Sequence, residues 1–208
     1  MNSYLVVCEQ TLTSAIIDPG AEPEEILRLA EGTRVGMILV THGHPDHVGA
    51  VGEVKAATGA PVYMHPADAE KFELSFDLPL VDGAELAVGS YRLRVRHAPG
   101  HTPGLCCLDL GDGRVVVGDC IFNDGPGKTW SVEEFDRLMQ TMQGIVFTWP
   151  DETIFYPGHG LPGRIGDERP AFEAFVQRGW PAGLFGDVTW AGPNPVDSAG
   201  LECSGKGS

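Results

Sequence analysis

Thr41-His42-Gly43-His44-Pro45-Asp46-His47 puts three imidazoles and a carboxylate within six residues, directly after the apolar run 35–40. That run is bounded by turn formers and reads as a buried strand. A loop at the end of a strand is where a rigid sheet can aim several side chains at one point. Working outward, the same arrangement recurs. His101 lies in His97-Ala98-Pro99-Gly100-His101-Thr102-Pro103-Gly104, and His159 lies in Tyr156-Pro157-Gly158-His159-Gly160. Asp119 lies in Val117-Gly118-Asp119-Cys120, after a strand candidate at 114–118. Glycine beside each of these residues lets the backbone pass close to an ion without a Cβ clash. Imidazole and carboxylate are donors that zinc, ferrous iron and manganese accept, and together these residues supply enough for two divalent ions. One loop histidine is ordinary. Five of the chain's seven histidines in loops of this kind are a metal constellation.

The flanking sequence supplies the scaffold. Strands are expected at 4–8 and 14–17, closing on the turn signal Asp18-Pro19-Gly20, and a helix at 23–30. After the motif come a helix at 48–58 ending at Gly59, a strand at 61–64 and an irregular polar stretch at 65–83. Four strands follow at 85–88, 91–97, 105–110 and 114–118, then a helix at 132–142, a strand at 153–155 and a helix at 168–178. Two similar halves, each strand-rich and then helical, suit two packed sheets with helices on their outer faces. The reading is one domain over 1–190, with a Pro- and Gly-rich tail at 191–208 expected to be poorly ordered.

Composition narrows the function. The chain of 208 residues carries 29 acidic against 14 basic residues, a formal charge of −15. Such a surface repels phosphate backbones and anionic lipid headgroups, so neither nucleic acid nor membrane is an expected partner. No basic segment precedes a long apolar run and no 18-residue apolar stretch occurs, so neither signal peptide nor membrane span is expected. Five cysteines without a spacing framework point to a reducing compartment, and the expected location is the cytoplasm.

The Thr-His-x-His-x-Asp-His run resembles the signature of the metallo-β-lactamase superfamily. The Pro-Gly-His-Thr-Pro-Gly, Gly-Asp and Pro-Gly-His-Gly motifs resemble its glyoxalase II (hydroxyacylglutathione hydrolase) branch in order and spacing. The resemblance spans about residues 4 to 178 and implies an α/β fold, a four-layer αββα sandwich of two mixed β-sheets with outer helices. It implies that His42, His44 and His101 hold one ion, that Asp46, His47 and His159 hold a second, and that Asp119 bridges them. Zinc is the ion expected first, with iron or manganese as alternatives. The implied reaction is cleavage of a small-molecule thioester or ester by a metal-bridging hydroxide, with Asp46 as the catalytic residue that handles the proton of the attacking water. Lys128, in Gly118-Asp-Cys-Ile-Phe-Asn-Asp-Gly-Pro-Gly-Lys128, matches a basic residue that contacts substrate in that branch. The chain departs from glyoxalase II after His159, where it offers only Arg164, Arg169 and Arg178 in place of a basic helical segment. A smaller or different ester therefore comes into range.

Three other readings compete. A mono-iron persulfide dioxygenase would use His42, His101 and Asp119 alone. A lactonase would need an apolar pocket, for which Phe72, Phe76 and Trp130 are candidates. A regulatory protein on this scaffold would have lost ligands, and none is missing. Gly125-Pro-Gly-Lys-Thr129 is not a phosphate-binding loop, because Phe122 stands where that motif needs glycine. His65 reads as structural and Cys120 as a small buried residue. His97 reads either as a support for a metal ligand or as simple packing.

Overall fold

The computed structural model describes residues 1–193. Its first half is a mixed five-stranded sheet in the order β1 (Tyr4–Cys8), β2 (Thr13–Ile17), β3 (Arg34–Leu39), β4 (Val62–Met64), β5 (Leu78–Pro79). Helices α1 (Pro23–Leu29), α2 (Pro45–Val48), α3 (Val51–Thr58) and α4 (Pro66–Lys71) connect these strands. The second half begins with β6 (Glu85–Val88), β7 (Tyr91–His97), β8 (Cys106–Asp109) and β9 (Arg114–Gly118). A two-stranded excursion follows, β10 (Ile121–Phe122) with β11 (Gly125–Pro126), and then α5 (Val132–Gly144). The strands β12 (Ile154–Pro157) and β13 (Gly163–Arg164) lead into α6 (Ile165–Arg178), and β14 (Val188–Thr189) pairs with β15 (Gly192–Pro193). The second sheet runs β13-β12-β9-β8-β7-β6, with β12 parallel to β9 and the other pairs antiparallel.

Side-chain alternation along the strands makes the layers. Ala15 and Ile17 of β2 meet Val95, Cys106 and Leu108 of the second sheet in the interior between the sheets. Ile16, between them in sequence, points the other way and packs with Ile38 against Val54 of α3 and Ala69 of α4. In the second sheet Cys106 faces inward while its neighbour Cys107 faces Leu138, Met142 and Phe172 of the outer helices. Period-two alternation on both sheets thus produces three apolar layers and the αββα order. Phe135, Phe155 and Phe175 are fully buried in the outer layer. Burying a side chain of that kind is worth about 1.5–3 kcal/mol, which helps to lock α5 and α6 onto the sheet.

Four local expectations are corrected. Strands β1 and β2 do pair, but the hairpin closes between Cys8 and Thr13, with Leu12 at φ 51, and Asp18-Pro19-Gly20 follows β2 instead. The expected helix at 48–58 is two, and the first begins at Pro45 inside the histidine motif, proline supplying a first-turn residue that needs no amide partner. The stretch at 65–83 is not irregular throughout: it holds α4 and β5. Finally α6 begins three residues before its expected start. Of the expected tail, 191–193 continue into β15 and 194–208 lie outside the described residues. Among the described residues no helix is long and apolar enough to cross a membrane.

Candidate metal centre

The connections after β3, β7, β9 and β12 meet over the strand ends and carry all seven of the ligand candidates, Asp46 and His47 on the short helix α2 and the other five in loops. His42, His44, His101 and Asp119 offer donor atoms that all lie within 4.8 Å of one another, and so do Asp46, His47 and His159. His44 Nδ1 stands 3.1 Å from His42 Nε2 and 3.0 Å from His101 Nε2. Asp119 lies between the groups: Oδ2 is 3.6 Å from both His101 Nε2 and His159 Nε2, and Oδ1 is 3.4 Å from His47 Nε2. Asp46 Oδ2 is 3.0 Å from His159 Nε2 and 3.9 Å from His47 Nε2. A tetrahedral ion with bonds of about 2.1 Å sets its donors roughly 3.4 Å apart, so these separations bracket what such an ion needs.

The far side of each buried ring explains its aim. His42 Nδ1 donates to Thr41 Oγ1 at 3.1 Å, because the Thr41 hydroxyl is itself committed as a donor to Asp18. His47 Nδ1 donates to Asp18 Oδ2 at 2.9 Å, and His101 Nδ1 donates to the backbone carbonyl of Lys128 at 2.8 Å. With their Nδ1 protons engaged, His42 and His101 present bare Nε2 lone pairs to the centre, and the Asp18 contact fixes the aim of the His47 ring. His47 Nε2 and Asp119 Oδ1 are buried without a hydrogen-bond partner among the described residues. Buried polar atoms are seldom left so, and a cation between them is the partner their chemistry fits. Gly158 lets the His159 loop come this close: a Cβ there would stand 2.1 Å from Asp119 Oδ1.

Burial and then mutual repulsion among the histidines hold His42 well below the ordinary imidazole range, and burial lowers His101 to about 4. On His47, burial acts downward too, but the carboxylates of Asp119 and Asp18 overcome it and raise the pKa to about 10. Burial would lift Asp119, yet His47 and the other rings keep its carboxyl below the usual range.

Sequence reasoning missed two buried carboxylates. Asp18, fully buried and at φ 49, takes Thr41 N, Thr41 Oγ1 and His47 Nδ1. In sequence it reads as a turn residue before Pro-Gly, and only its place at the end of β2 hinted otherwise. Asp68 lies in the stretch read as irregular. The remaining candidates divide. Trp130, half exposed, lies against His44 and His101 at ring separations of 5.2 and 5.3 Å, and Phe72 lies 5.2 Å from His44. Phe76 instead packs with the core on the outer face of the first sheet. The Lys128 side chain is exposed at the rim, while its carbonyl holds His101. His65 caps α4 and stacks on His97 at 4.2 Å, and His97 Nε2 donates to Pro103 O at 2.8 Å. His97 therefore supports the backbone of the His101 loop and touches no ligand directly. Cys120 is buried in the outer core, as expected.

Residues 2–175 match the family described as the Metallo-beta-lactamase superfamily. An uncharacterized protein of Aquifex aeolicus is 35% identical over 197 residues, 85% of this chain and 92% of that one. A hydroxyacylglutathione hydrolase of Anaeromyxobacter dehalogenans is 38% identical over 148 residues, 70% of this chain; the match spans only 56% of that enzyme's length. Among solved structures, TTHA1623 in a di-iron-bound form superposes with a TM-score of 0.68 at 32% identity, over 81% of this chain and 91% of that one.

Proposed function

The chain belongs to the metallo-beta-lactamase superfamily, and on that premise we propose that it is a dinuclear metal-dependent hydrolase cleaving a thioester or ester of the hydroxyacylglutathione type. The observation that carries this reading is Asp119: its carboxylate lies between the two ligand groups, with Oδ2 3.6 Å from both His101 Nε2 and His159 Nε2 and Oδ1 3.4 Å from His47 Nε2, where it could serve two ions. The similarity to hydroxyacylglutathione hydrolases supports the thioester, and the solved relative with two irons supports two ions, with iron as well as zinc in range.

Two divalent cations in such a centre acidify a shared water and polarise the scissile carbonyl. The chain supplies the rest. Histidine rings fixed by Asp18, Thr41 and the Lys128 carbonyl hold their positions through the reaction, so little reorganisation is needed as charge develops. Asp46 keeps 51% of its side chain exposed beside His159, so its carboxylate can accept the proton of the attacking water and pass it to solvent. A leaving thiolate needs little protonation, so a thioester asks less of the site than an amide would. Phe72 and Trp130 form an apolar wall beside His44, against which an acyl or thiol portion can lie, and Lys128 at the rim suits an anionic end of the substrate.

The test is the metal content of the purified protein with an assay on S-lactoylglutathione. About two ions per chain with thioester cleavage is the expected result. One iron per chain, no cleavage, and oxygen uptake on glutathione persulfide would replace this reading with the dioxygenase one. Two ions with neither activity would move the substrate to lactones and other esters.

A further inference from the structure

Asp68 is a fully buried carboxylate on α4, an element that carries no metal ligand. Its Oδ2 accepts from the backbone N–H of Gly43 at 2.8 Å and from Thr102 Oγ1 at 2.7 Å, and its Oδ1 accepts from the N–H of Gly104 at 2.6 Å. Gly43 stands between His42 and His44, and Thr102 follows His101. One side chain thus ties together the two loops that bring the three histidines of the first group. A buried carboxylate is costly unless charge-assisted hydrogen bonds satisfy it, so these three bonds hold the loops to α4 as firmly as they hold Asp68 in place. The approach is close by construction: a Cβ on Gly104 would stand 2.7 Å from the Asp68 backbone nitrogen and 2.8 Å from its Oδ1. The helix is anchored in turn by His65, its N-cap, stacked on His97.

We propose that Asp68 is a positioning residue for the first ion: it sets the separation of the His42/His44 loop from the His101 loop and hence the affinity of that site. The inference rests on the metal-centre reading. It assigns to Asp68 the part that Asp18 plays for His47, but through backbone and hydroxyl groups instead of an imidazole.

The test is a cobalt(II) titration of the metal-free protein, followed by visible absorption and by chelator competition. Asp68→Asn keeps the shape but replaces one acceptor oxygen with a donor, and it should weaken the tighter site by about 10- to 100-fold. Thr102→Val removes one of the three bonds and should weaken it less, whereas Thr102→Ser should bind as wild type does. Val54→Ala, a truncation in the core on α3, should lower Tm without moving cobalt affinity. Wild-type affinity and spectrum in both Asp68→Asn and Thr102→Val would overturn the proposal. So would a loss in Val54→Ala as large as that in Thr102→Val at equal loss of Tm. A wild-type protein that binds no cobalt would instead bring down the metal-centre reading itself, and this inference with it.

Discussion

His42, His44 and His101 sit on loops that are tied to each other from behind, whereas Asp46 and His159 keep 51% and 44% of their side chains exposed. Each half of the centre can hold one ion, with Asp119 common to both. They differ in how much of the ligand geometry exists before an ion arrives. In the first half, the buried rings of His42 and His101 are fixed by Thr41 and the Lys128 carbonyl, Asp68 ties their loops together and only the His44 ring is half-buried, so binding there orders little. In the second, only His47 is fixed and buried, while Asp46 and His159 are half exposed and contact each other. Preorganisation lowers the entropic cost of binding, so the first ion should be resident and the second exchangeable.

The halves also differ in protons. His42 and His101 are held neutral at pH 7 by burial. His47, raised to about 10, carries a proton until an ion displaces it. The second ion must therefore expel a proton and bind more tightly as pH rises toward 10, and the first should bind with little dependence on pH near neutrality.

The comparison can be broken at several places. Asp119→Ala removes the shared ligand and should lower kcat by about a thousandfold or more, with both ions bound weakly on metal analysis. Loss of only one ion would mean that Asp119 is not shared. His159→Ala should cost about a hundredfold in kcat and leave one ion per chain after dialysis. Two ions retained in that variant would remove His159 from the ligand set. Asp18→Asn should weaken the second ion by about 10- to 100-fold and the first by much less, read by chelator competition. Calorimetry in buffers of different ionisation enthalpy should find close to one proton released by the second ion near pH 7.5, and equal release by both ions would contradict the assigned pKa pattern. The smallest effects should come from the rim. Lys128→Ala should raise KM by several-fold for an anionic thioester with kcat nearly unchanged, and an unchanged KM would take Lys128 out of substrate binding.

The fold and the seven ligand candidates were legible because both rest on local pattern. The run 35–40 followed by the histidine motif fixes a strand, a loop and a set of donors at once. Asp18 and Asp68 were not legible as supports, since their partners lie 23 to 36 residues away and only the tertiary fold joins them. Turn composition pulled the first hairpin toward Asp18-Pro19-Gly20, while the register of β1 and β2 closes it earlier, at residues whose types give no strong turn signal. The six residues of α4 are too few to show a helical period, so the segment that carries Asp68 read as polar and irregular.

The most direct measurement of the central claim is a stepwise titration of the metal-free protein with zinc, following heat and thioester cleavage together. Two ions of unequal affinity, the tighter one first and the second bringing the larger rise in activity, is the predicted result. Saturation by a single ion, or two ions of equal affinity, would contradict an ordered first half and an exchangeable second half sharing Asp119.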